Sequence, residues 1–298
     1  MRRYLLAILL LLPAMSRAEH VFEAGLHGGV AGWSAQPIYV EKQVGLHAGG
    51  HIYYSWFSPK IVGLRTGITL DNHNMGFGKS NYEDAYSTID VENQQMDISY
   101  HIGRLKEQYS ILSVGVPMQI GFSKKNFTFW LGAKVNFPLQ GTWNQTIEDA
   151  GLSVYFPDYD NRVDDSYALG ASPSFQENTK GKIPLPKVQW WGTLELNYAI
   201  SLNTWASHYR SYIMIGAYLD YCFTKITPDA NDAKSLIMLT DTRDGLPLQR
   251  VCTSILEGNR QGHKLVREGT MFDVGVKISY AISPYDPHKD AKHSCNCL

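Results

Sequence analysis

Residues 110–137, SILSVGVPMQIGFSKKNFTFWLGAKVNF, read as two strands joined by a polar turn at Ser123, Lys124, Lys125 and Asn126. Along the first, Leu112, Val114, Val116, Met118, Ile120 and Phe122 share one face; Ser113, Gly115, Pro117, Gln119 and Gly121 share the other. Along the second, Phe127, Phe129, Leu131, Ala133, Val135 and Phe137 oppose Thr128, Trp130, Gly132, Lys134 and Asn136. Successive side chains of a strand point to opposite faces. One apolar face backed by a small, polar one, over this length, suits a tilted strand crossing a bilayer.

The same alternation recurs on both sides of this hairpin. Residues 20–32 place Glu23 and His27 on the inward face, 44–57 place His47, His51 and Tyr53 there, and 61–71 place Arg65 there. Further on, 187–202 turn Glu195 and Trp191 inward, 211–223 turn Tyr212, Tyr218 and Asp220 inward, and 271–282 do the same with Asp273 and Lys277. The connections alternate between short ones and long polar segments, the latter at 72–109, 138–186 and 224–269. A soluble β-sandwich or lipocalin-like barrel also alternates, because one face must be core, but nothing confines its long loops to one end. The expected fold is therefore all-β: an antiparallel up-and-down transmembrane β-barrel of about eight strands, with short periplasmic turns and long extracellular loops.

The ends and the composition fit that setting. Arg2 and Arg3 precede an apolar run from Tyr4 to Met15, and Ser16-Arg17-Ala18 offers small residues to a signal peptidase. The expected organisation is a cleaved signal at 1–18, a barrel at 19–282 and a periplasmic tail at 283–298. Without Arg2, Arg3 and Arg17 the chain carries 24 basic against 28 acidic residues, a formal charge of −4 that is no nucleic-acid footprint. Plentiful Tyr, Trp and Gly with little charge match a membrane barrel with interfacial aromatics.

Gly45-Leu46-His47-Ala48-Gly49, then Tyr54 and Leu64-Arg65-Thr66-Gly67, resembles the second hairpin of the outer-membrane β-barrel domain family of Bacteroides-type bacteria, the porin-family and PorT-like proteins. Val116-Pro117 and Leu131-Gly132-Ala133 resemble that family's Pro-bearing strand and its partner. The likeness runs over most of the chain after residue 18, and its short motifs mark architecture. It implies integral residence in a Gram-negative outer membrane and supplies no catalytic residues. The continuation of the chain past 282 departs from the pattern, since barrel strands usually finish at or near the carboxyl terminus.

The inward face collects Glu23, Arg65, Lys134, Glu195, Asp220, Asp273 and Lys277. Unpaired buried charge is costly, and a barrel of about eight strands has an interior that side chains can fill. A closed lumen cross-linked by ion pairs is therefore expected, with Lys134 paired to Glu195. His47 and His51 stand four residues apart on one strand, about 13 Å, too far to share an ion. No metal site and no cofactor are expected.

In the loops, Asp158, Asp160, Asn161, Asp164 and Asp165 form an acidic run with oxygens for a divalent cation, but without the glycine and terminal glutamate of an EF-hand. Tyr82, Tyr86, Trp143, Tyr155, Phe156, Tyr159, Tyr167 and Phe175 are either partner-stacking aromatics or loop packing. Asp71, His73, Asp84, Asp244 and His263 are the residues that would gather at the outer rim in a membrane-embedded hydrolase, although no nucleophile accompanies them. Cys222 and Cys252 are expected to pair in the oxidising envelope, with Cys295 and Cys297 as separate tail thiols beside His288 and His293.

The expected function is non-enzymatic: a structural or binding barrel that displays large loops. A narrow diffusion channel and an accessory barrel of a secretion assembly, or a hydrolase, are the alternatives. Expected partners are outer-membrane lipid, the barrel-assembly machinery during insertion and a surface ligand or protein, with no nucleic acid.

Overall fold

The structure, a computed structural model, describes residues 19–58, 62–89, 93–124, 126–202, 209–226, 234–240, 248–261 and 263–284. The expected signal segment, Asp244, and the tail's His288, His293, Cys295 and Cys297 lie outside the described residues.

Eight antiparallel strands form a closed ring: β1 (Glu19–Pro37), β2 (Gly45–Phe57), β3 (Val62–Ile89), β4 (Gln95–Lys124), β5 (Phe127–Phe156), β6 (Gln189–Ser201), β7 (Tyr209–Cys222) and β8 (Val266–Pro284). Each pairs with the next, and β8 returns to β1 from Phe22 opposite Ile282 to Pro37 opposite Val266. Closure leaves no open sheet edge at membrane depth, where unpaired backbone groups are costly. The expected antiparallel barrel of about eight strands is the observed fold.

Its wall has an apolar outer belt: Leu26, Leu46, Ile52, Leu64, Ile68, Met118, Ile120, Leu131, Trp190, Leu196, Val276 and Ile278 are all exposed. Exposed aliphatics arranged in a ring are costly in water and favourable in hydrocarbon. Arg introduced at Leu131 is expected to cost about 2–4 kcal/mol near the midplane. Urea unfolding in vesicles checks this, and equal tolerance of Arg on the lumen and lipid faces would refute the membrane belt.

Beyond the belt the wall continues as a tall outer sheet. Residues 72–109 are not loop but the upper parts of β3 and β4, which stay paired up to Ile89 opposite Gln95. There the pattern inverts. On β4, Met118, Ile120 and Phe122 face outward, whereas higher up Met96, Ile98, Tyr100, Ile102, Leu105, Tyr109 and Ile111 are buried inward and Arg104, Lys106 and Gln108 face out. An apolar outside suits lipid and an apolar inside suits water, so the inversion marks the outer membrane boundary.

The inward set shifts from odd to even positions at one row. Gly103 lies there between Asn81 and Asp149, both left-handed at φ 53° and 54°, and the ladder skips all three. A Cβ on Gly103 would meet the Asp149 side chain at 2.8 Å. Register is the same on either side of this row, so the irregularity re-aims the side chains of three strands together without adding a residue to any of them.

The upper core also takes in Leu236, Ile237, Ile255, Leu256 and Leu265 from the segment between β7 and β8, and Val266 at the start of β8. That segment contributes a small hairpin, Ile237–Thr240 against Gln249–Cys252. A further strand, Ser172–Lys182, extends β5 sideways.

Candidate functional site

Three polar layers occupy the inside of the barrel. The lowest lies toward the end bearing the tight turns. There Arg65 pairs with Glu195, stands 3.6 Å from Glu23, and donates through Nε to Gln119 Oε1 at 2.7 Å. Its guanidinium is sandwiched between Tyr53 and Trp130, at 4.4 and 4.5 Å from the ring centroids. Lys277 completes the layer, reaching Glu23 at 3.2 Å and also Glu195. Ser279 donates to Glu23 at 2.7 Å, and His51 Nε2 lies 3.3 Å from the same carboxylate. Two acids face two bases here, so the layer is internally neutral.

The middle layer gathers around Lys134, whose ammonium donates to Asp220 at 2.6 Å and to Asp71 at 3.3 Å. His27 Nε2 is 2.7 Å from Asp71 Oδ1, and Thr69 donates to Asp71 Oδ2 at 2.7 Å. His47 stacks on His73 at 4.6 Å, and His73 Nε2 is 2.7 Å from Asp273. His51, His27, His47 and His73 thus form, in that order, a continuous file of imidazoles closed above by Trp191.

The seven inward charged residues expected from strand parity are all buried. Their pairing differs from expectation at one point: Lys134 does not meet Glu195. Register sets Glu195 opposite Trp130 and Lys134 opposite Trp191, four residues further along. The lysine instead reaches across the lumen to β3 and β7.

Asp71 and His73, expected at an outer rim, belong to this middle layer. Asp84 sits far above them, and His263 lies exposed on a two-residue strand with Lys264, paired with Asn259–Arg260, so among the described residues that acid/base constellation does not form. The expectation of no metal rested on spacing along β2 alone. His27 from β1 and Asp71 and His73 from β3 bring ligand atoms together that one strand does not.

The third layer escaped the sequence reading altogether. Glu107, buried on β4, accepts hydrogen bonds from Ser254 Oγ at 2.5 Å, from Gln145 Nε2 at 2.7 Å and from the Ile255 amide at 3.0 Å. Tyr109 donates to it as well. The carboxylate thereby holds buried residues Thr253, Ser254, Ile255 and Leu256 over the barrel's outer end. Its only sequence signal was an acid on the face that Leu105, Tyr109 and Ile111 share. Glu107→Ala leaves buried donors unpaired, costing about 1–3 kcal/mol for each. The expected outcome is protease cleavage within 248–261 of a barrel that otherwise stays folded, read by limited proteolysis.

Cys222 and Cys252 are both buried free thiols, so the expected disulfide is not formed. Cys222 Sγ donates to the Thr224 carbonyl at 3.4 Å at the top of β7. Cys252 sits on the small hairpin, where burial pushes its thiol up to about 11.

Outside, a cleft of about 640 Å³ is lined by Asp84, Tyr100, His101, Ser153, Arg162 and Arg260, among others. Burial raises the Asp84 carboxyl above its ordinary value, against the hydrogen bonds from the Ala85 amide and Tyr100. Of the loop aromatics, Tyr82 and Phe175 are core residues, while Tyr159 and Tyr167 stand exposed. The acidic run is solvated: Asp160 accepts from Tyr155, Asp164 pairs with Arg162, and among the described residues the run gathers no three ligand atoms.

A closed eight-stranded ring with a lipid-facing belt and a polar interior defines an outer-membrane-type β-barrel. No family model and no curated protein matches the sequence. Solved structures similar to it include Neisserial surface protein A, at 10% identity and TM-score 0.32, covering 88% of this chain and 97% of that one. The outer membrane protease OmpT from Escherichia coli shares 8% identity at TM-score 0.25, covering 89% and 96%. A Pseudomonas aeruginosa FadL homologue shares 8% at TM-score 0.14, covering 90% and 89%.

Proposed function

We propose that this chain is an integral outer-membrane protein whose barrel is a closed anchor and whose tall outer sheet binds a surface ligand or protein partner. The observation that carries this reading is the three-layered obstruction of the lumen. Ion pairs around Arg65 and Lys134 fill the membrane part, and the Glu107-held segment covers the outer end. A conducting pore needs a wider interior with a continuous lining. The motifs around Gly45–Gly49 and Leu64–Gly67 support membership of the Bacteroides-type barrel family.

A non-enzymatic role fits the burial of the acid/base residues. Asp71, His73 and Asp273 are packed away from solvent, Asp71 held by His27, Thr69 and Lys134, and His73 by Asp273. The outer cleft, with Arg162, Arg260 and His101 beside Asp84, is the surface best suited to a polar partner.

Reconstitution into planar bilayers tests the closed lumen. Negligible conductance is expected from the intact protein. Steady, large unitary conductance would overturn the reading and put the diffusion channel in its place.

A further inference from the structure

We infer that the middle layer of the lumen is a binding site for one divalent transition-metal ion of the zinc class, held by His27 Nε2, His47 Nε2 and Asp71 Oδ1. The three residues come from three consecutive strands, and one ligand atom from each lies within 4.8 Å of the other two. His47 Nε2 is 3.5 Å from Asp71 Oδ1, close to the separation of roughly 3.4 Å expected between ligands at zinc–nitrogen and zinc–oxygen distances of about 2.1 Å. His27 Nε2 and Asp71 Oδ1, at 2.7 Å, need to part by about 0.7 Å to reach the same spacing.

Three further observations point to a cation. His47 Nε2 is buried and without a hydrogen-bond partner, on a side chain only 2% exposed. A buried polar atom left so is costly unless something fills the position it faces. Each ligand's other polar atom is also already held. Tyr218 Oη is 2.7 Å from His47 Nδ1, His51 Nδ1 is 3.2 Å from His27 Nδ1, and Thr69 and Lys134 hold Asp71 Oδ2. That is the outer support that fixes ring orientation at metal sites. Room for His27 Nε2 exists because its cross-strand neighbour is Gly49, whose absent Cβ would collide with it.

Charge supplies the third. The lower layer is neutral, but in the middle one Lys134 is the one permanent cation among the described residues facing Asp71, Asp220 and Asp273; with the imidazoles of His27 and His73 neutral beside Asp71 and Asp273, two negative charges are in excess. Asp220 and Asp273 even stand directly opposite each other on β7 and β8. Like charges so placed repel. One dication restores neutrality where the imbalance lies. Imidazole with carboxylate is a donor set for zinc and its neighbours rather than for calcium or magnesium.

Because the ligands are buried, the ion enters as the barrel folds. The protein is unfolded in urea with chelator and refolded in detergent with Zn²⁺ or Co²⁺, and bound metal and melting temperature are measured. Folding is followed by the different gel mobility of unboiled and boiled samples. One Zn²⁺ per chain is expected, with a raised melting temperature and a tetrahedral-type Co²⁺ visible spectrum. His27→Gln and His47→Gln should lose the metal, and His263→Gln on the outer surface should keep it. Tyr218→Phe, which removes only an outer support, should weaken Zn²⁺ binding by about tenfold or more. Refolded protein holding no more Zn²⁺ than the His27→Gln variant would overturn the site and leave protonated histidines as the balancing charge. So would Tyr218→Phe binding as tightly as the unaltered protein.

Discussion

Replacing Arg65 with Ala is expected to remove about 3–5 kcal/mol from the stability of the folded barrel, the cost of breaking a buried ion pair from one side. Arg65 is fully enclosed, and its planar head meets Glu195, Glu23 and Gln119 while lying between Tyr53 and Trp130. Removing it leaves two carboxylates to share Lys277, and also opens a void between two aromatic rings. Arg65→Lys is not a conservative exchange here, because an ammonium cannot fill the flat slot or serve several acceptors in the guanidinium's plane. It should recover only part of the loss. Equilibrium urea unfolding in detergent micelles measures both. A change below about 1 kcal/mol for Arg65→Ala, the range of an exposed pair, would mean that the lumen is wet and open at this level.

Lys134→Ala is expected to cost a similar amount, about 3–5 kcal/mol, but for a different set of partners. It strips the middle layer of its lysine and leaves Asp220 and Asp71 unneutralised. A double-mutant cycle separates the two possible pairings. Lys134 and Asp220 should couple by about 0.5–3 kcal/mol, whereas Lys134 and Glu195 should be additive to within about 0.5 kcal/mol. Strong coupling to Glu195 would mean a register between β5 and β6 different from the one that sets Lys134 opposite Trp191. Zn²⁺ added during refolding should offset part of the Lys134→Ala loss if the lumen site fills, since a ligand bound only by the folded state stabilises it.

What the linear sequence determined was the barrel and the facing of its residues. A transmembrane strand must put apolar side chains toward lipid at every second position. Local alternation in 110–137 and its counterparts therefore assigned Glu23, Arg65, Lys134, Glu195, Asp220, Asp273 and Lys277 to the lumen without reference to any other strand. The upper core was written in the same language, as Met96, Ile98, Tyr100 and Ile102 alternate just as clearly. It is masked because polar residues dominate the rest of 72–109, and because the alternation carries no sign of which side is water.

Who meets whom was decided only by the closed ring. Lys134 on β5 reaches Asp71 on β3 and Asp220 on β7, each two strands away around the wall, because long side chains span a narrow lumen. Glu107 finds Ser254 and the Ile255 amide nearly 150 residues later, because the segment before β8 folds back over the barrel mouth. His27, His47 and Asp71 converge from three strands, although the two histidines of β2 remain too far apart to act together. Parity is a property of one strand and can be read along it. Cross-lumen contact depends on the register of every strand in between, which is fixed only when the last strand pairs with the first.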